Sequence, residues 1–146
     1  MNNVTKGQII KYLHSGYIIF CQKANFADDG KLNAFGLFDL FLSKALPIKM
    51  NCQWLIGFGT PFERRQYKGI ATIEDPQGAE IYRQEFNAND PSDLYRGNYI
   101  LPVNLDLESE GLYTAKIALL NWEEKIIWDI ERKFWAMLEQ EYPSDP

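Results

Sequence analysis

The chain predicts an all-β domain: a single-domain antiparallel two-sheet sandwich of about eight strands joined by Greek-key connections. Three observations predict it. Runs in which apolar and polar residues alternate recur from Tyr17 onward, the period of strands with one buried face. Clusters rich in Gly, Pro, Asp and Asn separate these runs at short intervals, the spacing expected of a sandwich or barrel. Tyr113 stands just inside one run, after Glu110-Gly111, in the position of a tyrosine corner, where the phenol bonds back to upstream backbone. An open barrel is the second architecture that fits the pattern.

Residues 1–16 read as a short N-terminal helix or an ordered arm. Ile9, Ile10 and Leu13 follow Thr5 at helical spacing, and Gly16 sits where a C-terminal cap would be. The sandwich is expected over 17–135. Its first strand, Tyr17 to Phe26, joins a second, Lys31 to Leu42, through Ala27-Asp28-Asp29-Gly30, whose Asp-Gly step favours a tight hairpin. After Pro47, Met50, Cys52, Trp54, Ile56 and Phe58 form the apolar side of a third strand. Tyr67 to Glu74 and Ala79 to Phe86 flank Asp75-Pro76-Gln77-Gly78, with proline and glycine placed for a type I turn. Tyr99, Leu101, Val103, Leu105 and Leu107 share one side of a sixth strand, and Pro102 argues for an edge or a bulge because it cannot donate to a ladder. Tyr113, Ala115, Ile117 and Leu119 share the inner side of the seventh. Asn121-Trp122-Glu123-Glu124 turns it into an eighth from Lys125 to about Phe134. A helical turn from Trp135 to Tyr142 and a frayed end are expected, so 136–146 reads as a tail.

A chain of 146 residues is long enough to bury roughly two-thirds of its unfolded surface as one domain. Its 20 acidic residues against 15 Lys and Arg give a net charge of −5, a poor electrostatic footprint for nucleic acid or an anionic membrane. Lys6, Lys11 and His14 interrupt any leader-like apolar run, and nothing approaches the roughly 20 apolar residues of a membrane helix. A cytoplasmic protein is expected. Cys21 and Cys52 lie inside strand patterns and read as buried, reduced thiols.

The usual routes to catalysis find little support. His14 is the only histidine, and no nucleophile is placed beside it by the pattern. With no second histidine and cysteines 31 positions apart, neither a zinc site nor any other metal or cofactor is expected. Asp28-Asp29, Asp90-Asp93 and Asp106-Glu108 read as turn carboxylates, and no EF-hand spacing is present. Gly57 and Gly59 lack the third glycine and following helix of a dinucleotide fingerprint. What remains is a set of loop aromatics beside arginines: Phe62, Arg64 and Arg65, then Tyr95 and Arg96, then Trp122, with Trp135 near the last strand end. Aromatic residues with arginine make up interface hot spots, and the same side chains also suit lids on the ends of a sandwich. The segment 87–97 is the longest stretch without an apolar period.

The ordered set Ala24-Asn25-Phe26-Ala27-Asp28, Gly30-Lys31-Leu32, Phe35-Gly36-Leu37-Phe38-Asp39, Leu46-Pro47, Arg65 to Asp75, Gln77-Gly78 and Glu110-Gly111-Leu112-Tyr113 resembles a family of small bacterial proteins of unknown function, over roughly residues 20 to 135. The resemblance implies a compact β-sandwich in the bacterial cytoplasm and brings no catalytic residues, while the corner at Tyr113 points to a sandwich that is immunoglobulin-like or a related Greek key. An immunoglobulin domain would carry cysteine where Ala115 stands. The function expected is a non-enzymatic accessory module acting by protein contact or self-association. A small-molecule or carbohydrate module stacking its ligand on Phe62, Tyr95 or Trp122 is the alternative, and hydrolysis by paired carboxylates is a third reading.

Overall fold

A computed structural model describes residues 16–28, 32–58, 67–88, 98–121 and 123–140. The expected helix or arm over 1–16, apart from Gly16, and His14 with it, lies outside the described residues, as does the tail from 141 onward. Nine strands follow in order: β1 Gly16–Phe26, β2 Leu32–Phe38, β3 Leu40–Ser43, β4 Ile48–Phe58, β5 Tyr67–Glu74, β6 Glu80–Ala88, β7 Asn98–Leu107, β8 Gly111–Leu120 and β9 Ile126–Leu138. They form a four-stranded sheet in the order β2-β1-β4-β7 and a five-stranded sheet in the order β3-β9-β8-β5-β6. Among the described residues there is no helix, and so none long and apolar enough to cross a membrane.

Two elements differ from expectation. The single strand predicted over Lys31 to Leu42 is divided at Asp39 into β2 and β3, which belong to different sheets. Phe38 packs against the core from the first sheet and Phe41 is buried from the second, their rings edge-on at 4.8 Å. One uninterrupted strand cannot serve two sheets. β3 then pairs parallel with β9, so the sandwich is antiparallel in every pairing but that one. The other difference is at the end of the chain: where a helical turn was expected from Trp135, β9 continues to Leu138. Burial at a period of two explains it, since Phe134 and Ala136 are both buried and residues 135–138 pair with β3.

The core follows the predicted inner faces. Ile48, Met50, Cys52, Trp54 and Ile56 project from β4, and Tyr113, Ala115, Ile117 and Leu119 from β8. The Phe20 ring meets Trp54 at 5.4 Å and Phe134 at 5.2 Å, all edge-on, while Tyr113 stacks on Phe134 at 5.5 Å. Burying each such side chain contributes about 1.5–3 kcal/mol, which makes this aromatic column the principal bond between the sheets. The Tyr113 hydroxyl donates to the Ser109 carbonyl oxygen at 2.7 Å, tying the start of β8 to the chain that enters it. Gly111 has φ +141, and a Cβ there would stand 2.7 Å from Pro76 Cγ, so both backbone and space require glycine. Pro102 lies on β7, an edge strand, where the missing donor costs no ladder bond on the outer side.

Candidate recognition surfaces

All six predicted binding residues, Phe62, Arg64, Arg65, Tyr95, Arg96 and Trp122, lie outside the described residues. The strands that flank them are described, and their registers are informative. Gly57 near the end of β4 pairs with Asn98 at the start of β7, and Tyr67 at the start of β5 pairs with Ala88 at the end of β6. Lys68 pairs with Leu120 at the end of β8, which in turn pairs with Ile126 at the start of β9. The two sheets come together there, with Phe86 of β6 and Tyr99 of β7 at 5.6 Å between ring centres. The described ends that bound 59–66, 89–97 and 122 therefore share one end of the sandwich. The β5–β6 turn and the Tyr113 corner occupy the opposite end, joined through Pro76 and Gly111.

Of the three connections at the loop end, the 121–125 turn is described on both sides of Trp122. Glu124 N–H donates to the Asn121 carbonyl at 3.0 Å, and the Asn121 side-chain oxygen accepts from the N–H groups of Glu123 (2.9 Å) and Lys125 (3.0 Å). Glu124 has φ 59, a left-handed conformation uncommon for a residue with a side chain. These three bonds gather the described residues of the turn onto Asn121.

The outer faces of the two sheets differ. Across the five-stranded sheet Glu131, Lys116, Thr72 and Arg83 stand in one cross-strand row. Lys116 makes a 2.7 Å ion pair with Glu74, and that bond, reinforced by Glu131 and Asp129, raises its pKa above the ordinary lysine value. Thr72, Arg83, Lys116, Asp129 and Glu131 line a shallow groove of about 660 Å³. The four-stranded sheet places Tyr17, Ile19 and Cys21 of β1, Leu55 of β4, Ile100 and Pro102 of β7, and Phe35 and Leu37 of β2 on its outer side. Phe35 is 56% exposed and Leu37 63%. Beside them Arg132 reaches across from β9, donates to the Ile18 carbonyl and lies over the Phe20 ring at 5.3 Å.

Neither thiol is built for reaction. Burial pushes Cys52 up to about 12. Burial also raises Cys21, whose thiol donates to the Gln53 carbonyl at 3.4 Å. Among the described residues no group of three or more His, Cys, Asp or Glu side chains is placed to hold a metal ion. Sequence reasoning missed the exposed pair on β2 because alternation reports which residues share a face, not which strand stands at an edge. The absence of any charge from Leu32 to Phe38 was the available signal.

The model of a family of unknown function, DUF6941, matches residues 16–127. The chain belongs to that family. The match covers most of the span over which the sequence resembles a family of unknown function. No curated protein matches the chain. A solved structure similar to it is the soluble domain of PmoD from a Methylocystis species, at 12% identity and a TM-score of 0.45, over 84% of this chain and 90% of that one.

Proposed function

We propose that this DUF6941 member is a non-enzymatic recognition module that binds another protein through the loop end of an immunoglobulin-like sandwich. The observation that carries the reading is the register that brings the strand ends flanking all six candidate residues to one end. The strand orders support the immunoglobulin-like type. β1, β4 and β7 correspond to strands A, B and E, and β9, β8, β5 and β6 to G, F, C and C′. Tyr113 then occupies the corner position near the start of F. In that correspondence the strand ends that flank 59–66, 89–97 and 122 are at the end that variable domains use for recognition. Departures from the type are β2 outside A, β3 beside G, and no described strand in the D position.

Aromatic and arginine side chains on loops above a rigid sandwich suit a protein partner, since they supply large contact area and planar hydrogen bonding. A reducing, cytoplasmic setting agrees with Cys21 and Cys52 being free. The test is affinity capture from the native host with the wild-type chain and with Tyr95→Ala, Trp122→Ala and Arg64→Ala. A partner retained by the wild type and lost from at least two variants, at unchanged melting temperature, is the expected result. If all three variants simply melt earlier, the side chains are lids and the proposal fails.

A further inference from the structure

We infer that the β2 edge is a self-association site, at which a second copy of this chain pairs antiparallel with β2 and joins two four-stranded sheets into one of eight strands. The inference is independent of the loop end, since it rests on a different edge and different residues.

An unpaired edge strand offers free backbone donors and acceptors to any strand that can approach, and proteins ordinarily guard such edges with charge, proline or brevity. Among the described residues, three of the four sheet edges are guarded. β6 carries Glu80, Arg83 and Glu85, engaged in Arg83–Glu80 (3.2 Å) and Lys68–Glu85 (3.1 Å) ion pairs. β7 carries Pro102 and Asp106, and β3 is only four residues long. β2, Leu-Asn-Ala-Phe-Gly-Leu-Phe, has seven residues, no charge and no proline. Its outward Phe35 and Leu37 are among the most exposed large apolar side chains described.

The partner follows from the chemistry. A two-fold interface sets a strand against its own copy, so any charge on it would meet a like charge nearby. β2 has none, and pairs with itself without that penalty although the chain carries a net charge of −5. The two-fold that matches apolar side chains best passes through Gly36. It sets Phe35 of each copy against Leu37 of the other, twice over, on one face. Gly36 is also the one position on β2 with no side chain, and its φ of +67 with Gln22 packed where a Cβ would stand keeps it glycine. On the same face β1 sets Cys21 beside Leu37 and Lys23 beside Phe35, so the one charge near the contact stands a strand behind it.

Analytical ultracentrifugation of the full chain over a concentration series tests the inference. The wild type should sediment as a dimer that dissociates on dilution, while Phe35→Lys and Leu37→Lys remain monomeric at every concentration with the melting temperature of the dilute, monomeric wild type, because both side chains are exposed in the single chain. Mild oxidation then tests the register: a mixture of Phe35→Cys and Leu37→Cys chains should form a mixed disulfide dimer far faster than either variant alone, with the buried native thiols inert. A wild type that stays monomeric throughout, or a dimer that survives both lysine substitutions, overturns the inference. Cross-linking of Phe35→Cys with itself in place of the mixed dimer overturns the register through Gly36. Neither lysine variant touches the loop end, so partner capture through Tyr95 and Trp122 stands or falls separately.

Discussion

On the outside of the five-stranded sheet Lys116 sits in a row with Glu131, Thr72 and Arg83, whereas on the outside of the four-stranded sheet the central positions are Ile19, Leu55 and Ile100. Both sheets close on the same aromatic column, so burial of the inner faces does not distinguish them. The difference lies in what each does with its second face and its edges. The five-stranded sheet carries ion pairs and charged residues toward β5 and β6, and its exposed apolar side chains, Leu40, Leu42, Ile126 and Trp135, are confined to β3 and β9. The other retains an apolar outer half beside the loop end and one unguarded strand. A sheet that needed only to be soluble would present polar residues over its whole outer side, and this one does so toward Lys23, Asn25 and Asn33 and toward Lys49, Asn51, Asn104 and Asp106, leaving the rows of Tyr17, Ile19, Leu55 and Ile100 apolar.

The strongest way to separate the sheets is alkaline pH. Burial raises the Cys52 thiol from 9.0 to about 12. Its stabilising contribution is complete below the unfolded thiol value and is lost as pH rises toward the folded one, at up to about 1.4 kcal/mol per pH unit. Tyr17, raised by burial as well, adds a loss in the same direction above its own ordinary value. Lys116 belongs to the other sheet, and its raised pKa keeps the Glu74 pair charged up to and beyond the ordinary lysine value. Stability should therefore begin to fall near pH 9 through the four-stranded sheet first. Urea unfolding across alkaline pH should show a flatter profile for Cys52→Ala than for the wild type, whatever that substitution costs at neutral pH. Equal slopes would erase the contrast.

The next effect is at the corner of the five-stranded sheet. Tyr113→Phe keeps the stack on Phe134 and removes the 2.7 Å bond to Ser109, which should cost about 1–2 kcal/mol in chemical denaturation. A neutral result would mean that the corner is held by packing alone.

The two hairpin turns of that sheet sharpen the comparison further, because they share one bonding pattern. In the β5–β6 turn Gly78 N–H donates to the Asp75 carbonyl, and the Asp75 carboxylate accepts from Gln77 and Ala79, each at 2.9 Å. Asn121 does the same at the β8–β9 turn. The left-handed position is Gly78 (φ 88) in the first and Glu124 (φ 59) in the second. Gly78→Ala should destabilise by about 1 kcal/mol and Glu124→Gly should stabilise by a few tenths to about 1 kcal/mol, read as opposite shifts in melting temperature. The loop end is thus held in a less favourable conformation than its counterpart.

The smallest effect belongs to the charged face. Lys116 and Glu74 are both partly exposed, so a double-mutant cycle of Lys116→Ala with Glu74→Ala should give a coupling of about 0.5 kcal/mol or less and leave association unchanged. A larger coupling would make that face structural and not merely solvated.

The inner faces of β4, β7 and β8 were legible because Met50 to Ile56, Tyr99 to Leu107 and Tyr113 to Leu119 each keep a period of two against a single core. So were the turn at Asp75-Pro76-Gln77-Gly78 and the edge position of Pro102, since a proline ring and a glycine act on their own backbone. The division at Asp39 was not legible: Phe38 and Phe41 continue an apolar run, and only the presence of two sheets decides that they serve different ones. The end of β9 was obscured in the same way, because residues 135–138 extend as a strand through pairing with β3, about 95 positions earlier in the chain. The six candidate binding residues could be singled out by composition, but the convergence of the strand ends that flank them could not be read from it.

Local chemistry alone determined that this chain is β, where it turns, which side of most strands is buried, and that Tyr113 begins a corner. Those properties depend on neighbours within a few residues, through φ preferences, side-chain period and capping bonds. Only the tertiary structure decided which strands are edges, that β2 is the unguarded one, and that the strand ends flanking Phe62, Tyr95 and Trp122 meet at one end. Such properties depend on pairing between distant segments, and a strand carries the same sequence whether it lies in the middle of a sheet or at its rim.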